Sequence, residues 1–487
     1  MLSDNNSMHE FQKIKRDDMS ETWITEFSDI VGKENILKKF SECLPYGRDR
    51  SPYSTLKYRF GKLPSVLPTL VVSPKSYEEI SKILVVSNQY KIPIVPYGCG
   101  SGVMGGALPV KNGITVDLKN MNKVIDLDRI SCTVTTQTGI NGELFEAMLN
   151  KERLTLGHFP QSLNMSTVGG WLACRSAGQA SSRYRAIEDM VIGLKVIIPD
   201  GRLLEVKPAP RRAVGPSIKD LFIGSEGTLG IIVEVTFRVW PYPQKESVHA
   251  IGFNDYLNGL EAIRKIMQSE VRPAVIRLYD ENESKSKIAS YPEYKNYPCI
   301  CFLIFQGLNE LVEVEKTISL EYCNKAGGIE GNKEPAYEWM QHRYHSFSAA
   351  KVYSGRIMDT IEVASTWTNL PNLYEAFQEA VNSEDNKDTC FGAHWSHFYP
   401  DGACMYMTFD MPVTKLEQTA LKHKMIWNKV MEACLNAGGT ISHHHGIGSF
   451  RNDWIKQEIG LGHDILSALK NILDPNKIMN PGKLSLV

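Results

Sequence analysis

Three consecutive histidines, His443, His444 and His445, are followed by a glycine-containing stretch. A histidine run beside glycines is unfavourable for both a helix and a packed core, so we interpret these side chains as functional. Imidazole titrates near neutral pH, and the run is therefore a candidate site for moving protons or binding an anion. A metal site stays open, since His394 and His397 could add ligands, and ordinary hydrogen-bonded histidines are the third alternative.

Glycine-rich loops are the second feature that could carry chemistry. One contains Gly98, Gly100 and Gly102, another spans residues 160–171, and the third spans residues 224–230. Such loops let backbone N–H groups approach a pyrophosphate closely. Each loop alone could be an ordinary turn, and the first is not a Rossmann fingerprint because its glycines do not open a clean helix. Three in one domain favour a large ligand with two phosphates and a flat ring.

A βαβ unit is predicted to deliver the chain into the first loop. A strand begins at Thr69, Ser76 and Glu79 form a capping box that opens an amphipathic helix, and a second strand covers residues 92–96. Later strands and short helices continue this mixed pattern to about residue 243. We expect the glycine-rich loops to lie at strand ends, where a ligand can reach them.

The pattern divides the chain into four parts. They are a lead-in segment of residues 1–63, a mixed domain of residues 64–243, a second domain of residues 244–412 and a C-terminal segment of residues 413–487. A second capping box, Thr414 with Glu417, is predicted to open the helix that begins the last part.

Composition narrows the class of protein. Lys and Arg number 54 and Asp and Glu number 55, so the net charge of -1 argues against a nucleic-acid partner. We interpret the ten cysteines as reduced thiols, because no pair has metal-ligand or redox spacing. The N-terminus lacks the apolar core of a secretory signal, and no apolar run reaches 18 residues. We expect a cytoplasmic protein; peripheral membrane contact and a homodimer stay open.

The chain from about residue 60 onward resembles a known family. The run Thr155–Trp171, the loop Gly224–Gly230 and the run Ser442–Gly448 are similar to the alkyldihydroxyacetonephosphate synthase (alkylglycerone-phosphate synthase) family, within the vanillyl-alcohol oxidase flavoprotein superfamily. The resemblance implies an α+β fold: a PCMH-type FAD-binding domain of two α/β subdomains, an α/β cap domain and a C-terminal helical segment. It implies FAD as cofactor, and we expect non-covalent binding because the first glycine-rich loop shows no evident attachment residue.

The resemblance also implies roles for individual residues. In the family a tyrosine exchanges a proton at the substrate and the histidine run assists; here the tyrosine is Tyr406, with His443, His444 and His445 beside it. A buried structural tyrosine is the alternative. The predicted cofactor contacts are Pro96, Tyr97, Gly98, Cys99, Gly100, Ser101, Gly102, Gln161, Ser162, Ser166, Thr167, Gly169, Gly170, Arg175, Ser176, Glu226, Gly227, Gly230 and Ile231.

The substrate side departs from the family pattern. An Arg-Asp pair expected to hold a phosphate is missing, and Arg343, Lys351 or Arg356 could replace it, while Arg277 matches another family arginine. Residues 474–483 look more like the oxidases of the superfamily. The implied function is exchange of the acyl chain of acyl-dihydroxyacetone phosphate for a long-chain alcohol, on a lipid-like substrate. The alternatives are an FAD-dependent oxidase or dehydrogenase of a 2-hydroxy acid or alcohol, and a non-catalytic binding module.

Overall fold

The computed structural model describes residues 21–345, 354–382 and 387–486. Its strands form three sheets and one two-stranded ribbon. The strands are β1 (Ile36–Leu37), β2 (Leu70–Val72), β3 (Ile94–Tyr97), β4 (Ile114–Asp117), β5 (Val124–Asp128), β6 (Thr133–Gln137), β7 (Leu154–Thr155), β8 (Val191–Ile197), β9 (Leu203–Val206), β10 (Ile231–Arg238), β11 (Trp240–Pro241), β12 (Lys245–Phe253), β13 (Val275–Tyr279), β14 (Cys299–Gly307), β15 (Ile329–Glu330), β16 (Arg356–Thr366), β17 (Cys390–Phe398) and β18 (Gly402–Pro412).

The α-helices occur between and beside these sheets. They span Glu21–Val31, Phe40–Cys43, Pro52–Arg59, Tyr77–Tyr90, Gly142–Lys151, Val168–Cys174, Ser181–Tyr184, Ile187–Met190, Lys219–Phe222, Tyr256–Gln268, Glu281–Ile288, Asn309–Lys325, Glu334–His342, Leu370–Val381, Leu416–Asn436, Asn452–Ile459 and Leu461–Leu473. Among the described residues, none of these helices combines the length and apolar character needed to cross a bilayer. The ten cysteines all lie in the described part of the chain, and none of them forms a disulfide bond there.

The first sheet has the order β1-β2-β4-β3, and β2, β4 and β3 run parallel. The helix between β2 and β3 begins as predicted, because the Ser76 hydroxyl accepts the Glu79 N–H at 3.2 Å. The Glu79 carboxylate caps the N–H of Lys75 rather than that of Ser76, at 2.6 Å. This parallel unit ends at Tyr97, directly before the first glycine-rich loop.

The second sheet has the order β5-β6-β10-β8-β9 and is antiparallel. Its strands β8 and β10 are almost wholly buried. The three sheets and the helices between them give the chain a mixed helix and strand content. The predicted α+β fold is therefore confirmed.

The third sheet has the order β15-β12-β14-β13-β17-β18-β16. Side chains alternate between its faces, so one face packs under helices such as Tyr256–Gln268 and Leu370–Val381. The opposite face packs partly on the second sheet, through residues such as Ala250 and Phe302. Strand β14 is therefore buried on both faces, which its continuous apolar sequence indicates.

The C-terminal segment returns the chain to the first sheet. The Ile94 N–H donates to the Ile478 carbonyl and the Asn480 N–H donates to the Ile94 carbonyl, each at 2.7 Å. The predicted capping box at Thr414 and Glu417 is wrong, because the helix starts at Leu416 with Lys415 as its N-cap. The Thr414 N–H instead donates to the Thr419 hydroxyl at 3.0 Å.

Candidate active site

One row of the large sheet carries four polar side chains. Tyr279 on β13 pairs with His394 on β17, His394 pairs with Tyr406 on β18, and Tyr406 pairs with Glu362 on β16. Directly paired residues point to the same face of a sheet, so these four side chains share one surface. The rings of His394 and Tyr406 stack, with centroids 4.7 Å apart. The sheet therefore positions Tyr406 by strand pairing alone.

Glu362 connects this surface to residues 442–448, which we call the histidine loop. Its carboxylate accepts the backbone N–H of His443 at 2.9 Å and that of His445 at 2.7 Å, and it accepts from Arg451 Nη1 at 2.9 Å. The side chains of Glu362 and Arg451 are both fully buried. Burial alone would raise the pKa of Glu362, but Arg451 and His445 lower it to about 2. The carboxylate is therefore ionised and holds the loop against the sheet.

The predicted catalytic residues meet at this point. The Tyr406 hydroxyl lies 2.5 Å from His444 Nε2, and His444 Nδ1 lies 2.8 Å from His443 Nδ1. Burial raises the pKa of Tyr406 well above its ordinary value and lowers that of His443 to about 4. Burial, together with the neighbouring His445, also lowers the pKa of His444. Tyrosine and imidazoles are neutral at pH 7, a state in which each can accept or donate a proton.

His397 adds a third imidazole to the cluster. Its Nδ1 lies 2.7 Å from the Ser181 hydroxyl, and its ring stacks on His443 with a centroid distance of 5.0 Å. One nitrogen from each of His397, His443 and His444 lies within 4.8 Å of the others. This spacing keeps the metal alternative open, although the Nδ1 to Nδ1 contact between His443 and His444 already occupies one nitrogen of each ring.

The glycine-rich loops converge on one another. A Cβ on Gly98 would lie 2.1 Å from the Thr167 hydroxyl, one on Gly227 2.9 Å from Pro96 Cγ, and one on Gly224 2.6 Å from Arg175 Cδ. Only glycine permits these approaches. The three glycine-rich loops, which are far apart along the chain, are therefore packed together beside the histidine loop.

Glu226 joins the third glycine-rich loop to the histidine loop. Its carboxylate accepts the N–H groups of Ile447 and Gly448 at 2.7 and 2.8 Å. A Cβ on Gly446, whose φ is +80°, would lie 2.6 Å from the same carboxylate. The predicted catalytic histidines and the predicted cofactor-binding loops are thus one connected structure.

The first loop suits the phosphates of FAD. Among the described residues, the N–H groups of Cys99, Gly100 and Ser101 donate to no protein acceptor, and a Cβ on Gly102 would meet nothing within 4 Å. Consecutive free amides beside open space form an anion nest. Tyr97, which precedes the loop, packs on Tyr46 with a centroid distance of 4.7 Å. The residues present therefore fit the cofactor that the sequence implied.

Other predicted cofactor contacts already have protein partners. Ser166 and Ser162 bond to each other through hydroxyl and carbonyl, Ser176 bonds to His158, Arg175 to Glu188 and Gln161 to the His345 carbonyl. Thr167 caps the helix that contains Gly169 and Gly170, while Gly230 precedes Ile231, which is buried in the core of the first sheet. Their contacts with FAD stay predictions, and the structure shows what positions them.

Arg277 lies on the same face of the sheet as Tyr406, two residues along β13 from Tyr279. Its Nε donates to the Tyr279 hydroxyl at 2.9 Å, and its guanidinium lies over the Trp339 ring, 5.3 Å from the centroid. Among the described residues its two Nη groups have no hydrogen-bond acceptor. Arg277 is therefore placed to bind an anion beside Tyr406.

The other candidate clamps differ in position. Arg343 packs near Phe159, directly before the second glycine-rich loop, 5.7 Å from its ring centroid, and among the described residues its buried Nε has no partner. Arg356 is paired with Asp410 at the far end of β16 and β18 from Tyr406, so it is not a substitute clamp. Lys351 lies outside the described residues.

Several groups at the site escaped prediction as site residues. Glu362 and Arg451 were not predicted as site residues, and their pairing joins residues 89 positions apart. The lead-in segment also contributes, because Asp49 accepts the Gly105 N–H at 3.0 Å and the Arg50 N–H donates to the Gly102 carbonyl. The dense run of Arg, Asp and Ser at residues 48–51 is the one sequence signal of that contact.

Comparison with known proteins places this geometry in a family. The family model "FAD binding domain" matches residues 68–207, and "FAD linked oxidases, C-terminal domain" matches residues 242–484. Alkyldihydroxyacetonephosphate synthase of Dictyostelium discoideum is 30% identical over 464 residues, which is 88% of this chain and 75% of that protein. The protein named "Uncharacterized FAD-linked oxidoreductase YgcU" of Escherichia coli (strain K12) is 32% identical over 448 residues, 88% of this chain and 92% of that protein.

Solved structures agree with the sequence comparisons. A structure of alkyldihydroxyacetonephosphate synthase superposes with a TM-score of 0.81 and 26% identity, covering 97% of this chain and 87% of that chain. The predicted PCMH-type fold and FAD cofactor are confirmed. The chain therefore belongs to the FAD-linked oxidase family, as a member similar to alkyldihydroxyacetonephosphate synthase within the vanillyl-alcohol oxidase superfamily, and it is an FAD-dependent enzyme.

Proposed function

We propose that this enzyme is a transferase of the alkyldihydroxyacetonephosphate synthase type, which replaces the acyl chain of acyl-dihydroxyacetone phosphate by a long-chain alcohol. One observation carries the proposal: the Tyr406 hydroxyl lies 2.5 Å from His444 Nε2 within a cluster of neutral imidazoles. The synthase of Dictyostelium discoideum, 30% identical, supports the same assignment.

Tyr406 and His444 together can take up and return one proton. A phenol with a raised pKa is a poor acid by itself, so it needs an acceptor at hydrogen-bond distance to release its proton. His444 is neutral and supplies that acceptor. In the proposed reaction Tyr406 exchanges a proton at the substrate's C1, and the neutral imidazole lets it do so without a solvent molecule in the site.

In the proposed reaction Arg277 orients the substrate. Its guanidinium is held by Tyr279 and Trp339 on the face that carries Tyr406, and an arginine fork binds a phosphate through two parallel hydrogen bonds. Bound FAD supplies the redox and bond-forming chemistry of its isoalloxazine ring. The residues of the chain then position the substrate, exclude water and move the proton.

The decisive experiment supplies both substrates of the transferase. Purified protein carrying FAD is incubated with acyl-dihydroxyacetone phosphate and labelled hexadecanol, and the products are separated by chromatography. We expect a labelled ether lipid and release of a fatty acid. FAD-loaded protein that forms no ether would overturn the proposal.

A second function, oxidation of a 2-hydroxy acid or alcohol, is favoured by one observation. The relative named an FAD-linked oxidoreductase is 32% identical and is covered over 92% of its length. Anaerobic mixing with candidate 2-hydroxy acids would then bleach the visible absorbance of oxidised flavin. A transferase leaves that absorbance unchanged after turnover, so the two functions are separated by one spectrum.

We also propose that FAD is bound without a covalent link. Cys99 supplies the thiol of the first glycine-rich loop, and burial raises the pKa of this thiol, which lowers the fraction of reactive thiolate. Acid precipitation of the yellow protein should release the flavin to the supernatant. Colour retained in the precipitate would contradict non-covalent binding.

A further inference from the structure

Tyr399 is the last member of a chain of hydrogen-bonded side chains that starts at Tyr406. The Tyr399 hydroxyl lies 2.8 Å from His443 Nε2. His443 Nδ1 lies 2.8 Å from His444 Nδ1, and His444 Nε2 lies 2.5 Å from the Tyr406 hydroxyl. Four side chains are thus linked by three contacts, and each histidine uses both ring nitrogens. Such a chain connects two phenols that do not touch each other.

A β-bulge places Tyr399 on the face of Tyr406. In the pairing of β17 with β18, Ser396 faces Cys404 but Phe398 faces Ala403, so His397 is an extra residue, and its φ is +52°. One extra residue inverts the alternation of the side chains that follow it. Without the bulge Tyr399 would point to the opposite face of the sheet. With it, Tyr399 and Tyr406 share the surface on which the histidine loop lies.

We propose that Tyr399, His443 and His444 form a proton relay that exchanges the proton of Tyr406 with solvent. His444 is buried, whereas Tyr406 and Tyr399 are each partly exposed, so the relay joins two partly exposed phenols through a buried link. A substrate covering Tyr406 would cut it off from water, and the relay supplies another path. The proposal rests on the proposed function only in treating Tyr406 as the group that moves the proton.

The step conserves atoms and charge. The O–H bond of Tyr406 breaks as an N–H bond forms at His444 Nε2, and the proton on His444 Nδ1 passes to His443 Nδ1. The proton on His443 Nε2 then passes to the Tyr399 oxygen, whose original proton goes to water. No electrons are transferred; both imidazoles end as the other tautomer, and Tyr406 carries the negative charge until the relay runs backwards.

The relay requires the imidazole rings of His443 and His444 to be neutral, and the burial of these rings favours the neutral form. The single proton between the two Nδ1 atoms requires one ring to carry its proton on Nδ1 and the other on Nε2. If both rings were doubly protonated, two N–H groups would face each other across the contact of the two Nδ1 atoms. Burial lowers the pKa of His443 to about 4 and, together with the neighbouring His445, lowers the pKa of His444 well below its usual value.

The first test reads the tautomers and needs no substrate. Full-length FAD-loaded protein with ¹⁵N-labelled histidine is examined by NMR at pH 7. We expect His443 and His444 to be neutral and of opposite tautomers, and Tyr399→Phe to change the tautomer populations of both rings. Tyr291→Phe, which removes an exposed hydroxyl bonded to Glu338, is the control and should change neither. Charged rings, identical tautomers or a metal ion bound at one equivalent would overturn the relay.

The second test uses turnover and rests on the proposed function. Tyr399→Phe should lower kcat by at least about tenfold, the lower side of general acid–base effects, with KM unchanged and a larger solvent deuterium isotope effect. An unchanged kcat and isotope effect would overturn the relay. Opposite, coupled tautomers in a protein that forms no ether would retain the relay and reject the transferase.

Discussion

At the scale of single residues, Glu362 does most to organise the site. It is fully buried, it binds two backbone N–H groups of the histidine loop, and it pairs with a fully buried Arg451. A buried pair of this kind adds little net stability, but removing one partner leaves an uncompensated charge. The ion pair of Glu362 with Arg451 therefore helps to hold the histidine loop against the sheet.

Replacing Glu362 by Gln should destabilise the protein strongly. We expect the free energy of unfolding to fall by about 3–5 kcal/mol, the range for breaking a buried ion pair, because Arg451 keeps its charge in the core. Urea unfolding followed by fluorescence measures the change. The control is Glu261→Gln, whose pair with Arg264 is exposed and should matter by less than about 1 kcal/mol. Equal effects of the two variants would contradict the role of Glu362.

Replacing Tyr406 by Phe should affect turnover and leave the fold intact. We expect kcat to fall by about 10²- to 10⁴-fold, the usual contribution of a general acid or base. The phenylalanine ring can still stack on His394, so FAD content and unfolding midpoint should match the unaltered protein. Turnover is measured with the ether-forming assay, and full activity of the variant would remove Tyr406 from the reaction.

At the scale of elements, loops with glycines decide how closely neighbouring segments approach. Gly98 lies against Thr167 and Gly227 against Pro96, whereas Gly102 faces open space. The first two glycines are required by packing, whereas Gly102 leaves open space beside the free amides of the first glycine-rich loop. The two kinds can be distinguished by substitution.

Replacing Gly102 by Ala should weaken FAD binding without harming the protein itself. Its Cβ would meet no protein atom within 4 Å, so the unfolding midpoint of the FAD-free protein should stay the same. The same methyl group would fill space beside the free amides of the loop, and we expect the Kd for FAD to rise at least about tenfold, or roughly 1.4 kcal/mol. Flavin fluorescence titration measures this, and an unchanged Kd would show that the cofactor does not use this loop.

Replacing Gly446 by Ala should separate the histidine loop from the third glycine-rich loop. The new Cβ would lie 2.6 Å from the Glu226 carboxylate at a φ of +80°, and we expect a loss of about 1–3 kcal/mol together with lower activity. Gly215→Ala has a similar φ of +73° with nothing within 4 Å, so it measures backbone strain alone. Both variants are compared by urea unfolding, and equal losses would mean that the Glu226 contact is unimportant.

At the scale of the whole molecule, the site is assembled from parts distant in sequence. The large sheet supplies Tyr406, the C-terminal segment supplies the histidines, and the first two sheets supply the glycine-rich loops. Lys470 Nζ holds the segment in place by donating to the carbonyls of Thr228 and Met479, each at 2.8 Å. Asn480 Nδ2 donates to the Glu226 carbonyl at 2.6 Å. Residues 474–483 therefore help to attach the C-terminal segment to the FAD-binding domain.

Buried neutral histidines should make the protein sensitive to acid. Burial lowers the pKa of His158 to about 3 and that of His443 to about 4, below their unfolded value near 6.5. The unfolded chain then binds protons that the folded chain cannot, so stability falls as pH drops below about 6.5. Burial also raises the pKa of Glu226 and Asp280 to about 7, which opposes this trend between about pH 4 and 7.

The histidines outnumber these two carboxyl groups. The pKa is also lowered by burial at His394, His397, His444 and His445. We therefore expect the urea midpoint to be lower at pH 5 than at pH 7.5. A midpoint that rises on acidification would contradict the neutral state of the histidines, and with it the proton-handling role of the site.

Local chemistry could be read from the sequence alone. The helix cap at Ser76, the strands around it, the first and third glycine-rich loops and the histidine run depend on neighbouring residues, and each lies where the pattern indicated. The second glycine-rich loop differs, because its residues 168–171 begin a helix. The family resemblance then supplied Tyr406 and FAD. The sequence did not indicate that Arg356 pairs with Asp410. The two residues lie on different strands, and the register of strand pairing cannot be derived from a local pattern.

Only the tertiary structure decided how these motifs work together. The row that contains Tyr406 and Glu362 depends on the register of four strands, and the contact of Tyr399 with His443 depends on a single extra residue at His397. A one-residue change of register reverses which face a side chain occupies, so such contacts have no signature in the sequence. The sequence thus determined which groups are available, and the packing of sheet against loop determined which of them share a proton.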